Sequence, residues 1–162
     1  MSTKRLSLLA LFIALSVIGA SIKIPAVVGS IALDFFPALI AAVFLGRSTG
    51  AMVAGFGHFL SALIVGMPLG PMHIIIALEM AAIVWIFQMI YENRKPKLAG
   101  LFAVVSNTLI APIPMLFLLG IGFYVALLPS LFIGATVNTV AALLLIPRFE
   151  GIFDRVLASD MK

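Results

Sequence analysis

Seven polar side chains stand inside or beside long apolar runs: Lys23, Asp34, His58, His73, Glu79, Asn107 and Asn138. Ionisable groups at membrane depth are costly, and their default reading is a ligand or ion site. Two imidazoles, two carboxylates, two amides and one ammonium can hold a small solute by hydrogen bonds. Glu79 ranks first among them, because a carboxylate there needs a partner. His73 and Glu79 stand about 120° apart on an ideal helix, so one pocket takes both only if the helix start is bent. Each residue also has a structural alternative. Asp34 would cap a helix, His58 would bond a neighbouring helix, the asparagines would join helices, and Lys23 would snorkel to the headgroups. Other chemistries lack their residues. No glycine-rich phosphate loop is present, no His/Asp/Glu cluster has metal-ligand spacing, and no serine–histidine pairing stands out.

The elements that must position these groups are membrane spans. The 162 residues are 64% hydrophobic and 10% charged, and mean hydropathy is +1.29. A soluble domain is about half apolar and about a quarter charged. With no cysteine, disulfide and thiolate chemistry are excluded. No segment reads as a cleaved leader, since the first apolar run lacks a small-residue cleavage site. A span takes about 20 apolar residues, and the Gly, Pro and charge punctuation predicts six: Leu6 to Ile24, Ala32 to Gly46, Gly50 to Val65, Met72 to Tyr91, Leu98 to Leu118 and Phe123 to Ile146. Pro147 closes the last. The second is short and either spans or leans on a preceding re-entrant stretch. The expected fold is all-α, one bundle of six transmembrane helices over residues 1–162, with no repeat and no second domain.

Lysine and arginine set the orientation. Nine of the ten fall on the side of the two termini, and Lys23 alone falls on the other. Positive charge stays inside, so both termini are expected in the cytoplasm and the net charge of +4 reflects topology rather than nucleic-acid binding. On the outer side, "GMPLGP" (66–71) is a shaped turn, placed to act as a lid. In the first span Ser7, Ala10, Ala14 and Ser21 make a stripe of small residues. Such a stripe admits a close helix neighbour, either within the bundle or in another protein.

The order of these features resembles the substrate-binding S components of energy-coupling factor (ECF) vitamin transporters. Its carriers are the basic N-terminus followed by "ALFIA", then "LDFFPALIAAVFLG", "GFGHFLSALIVGMPLGP" and the six-span layout. The resemblance covers nearly the whole chain. It implies a prokaryotic cell-membrane protein that is not an enzyme and carries no cofactor or metal. It also implies a transmembrane coupling subunit docked on Ala10 and Ala14, and two cytoplasmic ATPases. A water-soluble vitamin would then sit in the outer half, among Lys23, Asp34, His58, His73, Glu79, Asn107 and Asn138. Within the family the short chain and "GMPLGPMH" look most like members proposed to carry α-ribazole; pantothenate, folate and pyridoxine-type compounds are the alternatives. An intramembrane enzyme using His58, His73 and Glu79, or an assembly subunit without a ligand, are the competing classes.

Overall fold

The computed structural model describes residues 2–25 and 30–158, without the side chains of residues 23–25, 30 and 31. Helix α1 (Thr3–Ser21) leads into a hairpin of β1 (Lys23–Pro25) and β2 (Ser30–Ala32). Then follow α2 (Phe36–Leu45), α3 (Arg47–Ile64), α4 (Met72–Glu92), α5 (Pro96–Val105), a π turn (Ser106–Ile110) and α6 (Ile113–Ala158). The strands pair antiparallel, Lys23 opposite Ala32. By length and hydropathy α1, α4 and α6 can each cross a membrane, whereas α2 and the 96–110 segment are shorter apolar helices.

Helix α2 is the centre. Its ten residues rise only about 15 Å, and Pro37 to Ala42 are all buried. A helix apolar on every side is a buried helix. Lipid gives helices no hydrophobic reason to associate, so packing must do it, and small residues do it best. Accordingly a β-carbon on Gly50 of α3 would overlap Ala42, one on Gly57 would come 2.6 Å from the Ser16 Cβ of α1, and one on Gly19 would overlap the Leu33 carbonyl.

Both ends of the chain meet at one end of the bundle. The Lys4 ammonium donates to the Val156 carbonyl. Phe153 stacks on Phe44 with ring centres 4.2 Å apart, and on Phe12 at 6.0 Å. Arg47 pairs with Glu92 there at 3.2 Å. The hairpin, the 66–71 turn and Gly120 lie at the opposite end.

Three expected boundaries are corrected. The first helix stops at Ser21 rather than Ile24, so Lys23 belongs to β1 and not to a span. The second element is a ten-residue helix behind a hairpin, not a fifteen-residue span. The last helix runs past Pro147 to Ala158. Proline is tolerated inside membrane helices where neighbours support the backbone, and the half-buried Phe149, Phe153 and Leu157 provide that support against the core. The fifth span is also broken. Pro112 and Pro114 bring no N–H, and the Ala111 N–H reaches back five residues to the Ser106 carbonyl at 2.9 Å. Gly120 (φ 84°, ψ 170°) then interrupts α6, a backbone state that a side chain would strain. The Tyr124 hydroxyl donates to the Leu109 carbonyl at 2.9 Å, tying the returning chain to the π turn.

Candidate solute cavity

A cavity of about 420 Å³ opens at the end of the bundle away from the termini. Its size lies in the range of small-molecule sites. Helix α4 offers His73, Ile76 and Met80, spaced three and four apart, which places them on one face. Helix α6 offers Leu127, Ser130, Leu131, Gly134 and Asn138 by the same rule, and the 66–71 turn adds Pro68 and Leu69. The π turn brings in Asn107; such bulges recur at functional sites because they re-aim one side chain. Five of the seven expected residues line the cavity: Asp34, His58, His73, Asn107 and Asn138.

Three of these form a chain. The Leu69 N–H donates to His73 Nε2 at 3.3 Å. A ring nitrogen that accepts carries no hydrogen, so neutral His73 holds its proton on Nδ1. That nitrogen lies 3.3 Å from His58 Nε2, which then accepts and leaves the His58 proton on Nδ1. His58 Nδ1 faces Asp34 Oδ2 at 3.9 Å, an ion-pair distance rather than a hydrogen bond. The 66–71 turn, α4, α3 and the loop before α2 are thus joined by one directed sequence of contacts. His58 points its two nitrogens at different partners, and among the described residues no set of three His, Cys, Asp or Glu is arranged to hold a metal ion.

Asn138 is bound on every side. Its Oδ1 accepts from the N–H groups of Phe35 (3.1 Å) and Phe36 (2.9 Å). Its Nδ2 donates to the carbonyls of Ala32 (2.8 Å) and Gly134 (2.9 Å). An amide has two donors and two acceptor sites, and all four are used. The cap of α2 therefore comes from Asn138, about a hundred residues away, and the alternative reading of Asp34 as that cap is replaced. Asn107 is less committed, with Nδ2 3.3 Å from the Met80 sulfur, a weak acceptor.

One of the expected residues that the structure describes is not brought to the cavity. Glu79 is not among its lining, and Met80 takes that place on α4. Helix α4 runs unbroken from His73 through Glu79, so the angular gap between them persists. The Lys23 side chain lies outside the described residues. Sequence reasoning missed the apolar walls, chiefly Phe35, Met80 and Met115; of these only Met80 carried a periodic signal, seven residues or about two helical turns after His73.

On α1, Ser7, Ala10, Ala14 and Ser21 are all exposed, while Leu9, Phe12, Ser16 and Gly19 face the bundle. Packing within this chain, one of the two readings of the small stripe, is thereby removed.

An apolar helix bundle with a small-solute cavity at one end defines a membrane-embedded solute-binding protein. The chain belongs to a family of that class, the substrate-specific components of ECF transporters, which it matches over residues 4–159. No curated protein matches it. Members of the family bind a small substrate and work with a module of transmembrane and ATPase subunits; they are transporter parts, not enzymes.

Proposed function

We propose that this chain is the subunit that captures a water-soluble vitamin or vitamin precursor for an ECF importer of a prokaryotic cytoplasmic membrane, with α-ribazole as the first candidate. The observation that carries the reading is the cavity of about 420 Å³ beneath the 66–71 turn, with its polar groups at the end remote from the charged one. Asp34, His58, His73 and Asn107 contact the solute. Asn138 holds the frame of the same site, and Glu79 stands beyond the contact set. The turn is the lid. Residues 1–162 act as one binding domain, with both termini in the cytoplasm, which the eight described basic side chains away from the cavity support. Ala10 and Ala14 receive the coupling subunit, a role supported by their exposure.

The ring of α-ribazole suits the apolar walls, and its ribose hydroxyls suit Asp34, His58 and Asn107. The test is the melting temperature of the detergent-purified protein with α-ribazole, followed by pantothenate, folate and pyridoxine. At 100 times its dissociation constant a ligand stabilises the fold by about 2.7 kcal/mol. A shift with α-ribazole alone supports the full proposal. A shift with another vitamin replaces the substrate, and no shift with any of them removes the vitamin-capture reading.

A further inference from the structure

We infer that the cavity is built for a neutral or cationic ligand that brings its own O–H or N–H donors, and that it excludes carboxylates and phosphates. The inference rests on the cavity being the substrate site and adds the charge class of what enters it.

The donors of the cavity are already spent. The Leu69 N–H is held by His73 Nε2. The His73 Nδ1–H is held by His58. Both N–H bonds of Asn138 go to backbone carbonyls, and Asn138 in turn holds the Phe35 N–H. Pro68 and Pro112 in the wall have no N–H to offer. Besides the Ser130 hydroxyl on α6, the remaining side-chain donors are the second N–H of Asn107 and the Nδ1–H of His58, and the latter faces the Asp34 carboxylate at 3.9 Å. An anion that approached His58 would meet that carboxylate. A hydroxyl would not, because it accepts from imidazole and donates to carboxylate with the same oxygen.

The acceptors, by contrast, are open. Asp34 has acceptor sites beyond the one facing His58, and the Asn107 oxygen faces no protein donor among the described contacts. Among the described side chains no lysine or arginine lines the cavity, and the one formal charge they bring to it is the Asp34 carboxylate. Taking a carboxylate or phosphate out of water without a paired cation or several donors is strongly unfavourable, whereas a buried acceptor left unmet by a ligand also costs affinity. Apolar walls with unmet acceptors therefore select a ligand with an apolar body and donor groups at one end.

The experiment uses matched pairs that share a body and differ in charge: pantothenol with pantothenate, pyridoxine with 4-pyridoxate, and α-ribazole with its 5′-phosphate. Dissociation constants and melting temperatures are measured on the purified full chain and on Asp34→Asn. In any pair that binds, the neutral member is expected to bind at least about tenfold more tightly, and Asp34→Asn to narrow that ratio to about threefold or less. An anionic member that binds as tightly as its neutral partner overturns the inference, whether or not Lys23→Ala then removes that binding, and leaves the solute-capture reading intact. No shift with any member counts against the solute-capture reading itself and takes the inference with it.

Discussion

His58 Nε2 and His73 Nδ1 lie 3.3 Å apart, on two different helices. The distance makes each ring set the proton position of the other, and the Leu69 N–H fixes the direction of the pair. Removing either ring leaves its partner unmatched and loosens the 66–71 turn.

The two histidines should therefore act as one unit. His58→Ala and His73→Ala are each expected to weaken ligand binding by about 1–3 kcal/mol, roughly tenfold to a hundredfold. The double variant should fall short of their sum by about 0.5–3 kcal/mol, the range for residues in contact. Titration calorimetry of the wild type and the three variants completes the cycle. Strict additivity would mean that the rings contact the ligand separately and that the chain of contacts plays no part.

Asn138 should behave differently. It ties the start of α2, the strand β2 and its own helix with four hydrogen bonds. Alanine there strands buried main-chain groups at about 1–3 kcal/mol each. Asn138→Ala should melt several degrees lower with no ligand present, and the loss should not be restored by any ligand concentration that saturates the wild type. An unchanged melting temperature in the free protein, with weakened binding, would make Asn138 a direct ligand instead.

Glu79→Gln separates site from scaffold on α4. The carboxylate does not line the cavity, and its Oε2 is buried without a hydrogen-bond partner. A buried charge without a partner is a liability, so a neutral amide of the same shape should hold or raise stability. Binding should stay within about twofold of the wild type, well under the tenfold that 1.4 kcal/mol represents. A tenfold loss in calorimetry would return Glu79 to the site.

These differences show what the sequence could carry. The start of α4 was legible because Pro71 and the turn before it punctuate locally, and the residues of its cavity face follow from periodicity. The angle between His73 and Glu79 was legible too, and it already argued against a shared pocket. A joining role for Asn138 stood as one of two readings, but its partners were not legible, because Ala32, Phe35 and Phe36 lie over a hundred residues away. The length of α2 was hidden for a related reason. "ALDFFPALIAAVFLG" is apolar apart from Asp34, and only tertiary pairing of 30–32 with 23–25 turns its first residues into a strand and loop. The extension of α6 past Pro147 depends on Phe44 and Phe12, which supply a surface no local rule reveals. The alanine stripe showed a small face but not whether it pointed in or out.

The outward direction of that stripe gives the last prediction. Ala10 and Ala14 stand about 160° from Phe12 on the α1 wheel, and Phe12 is buried in the core while both alanines are exposed. An exposed small face inside a ring of Leu11, Leu15 and Ile18 is a poor lipid anchor but a good seat for another helix, because short side chains let two backbones come close. A bulky side chain at Ala14 therefore meets no atom of this chain, yet it holds a partner helix away. Ala14→Trp should keep its melting temperature and its ligand affinity, and should lose co-purification with the coupling module when the two are expressed together. Leu11→Ala serves as a control, since it alters the same face without forcing the backbones apart. Recovery of Ala14→Trp with the module at the wild-type ratio would place the docking surface elsewhere. Loss of the fold itself would mean that the alanine face packs inside the bundle after all.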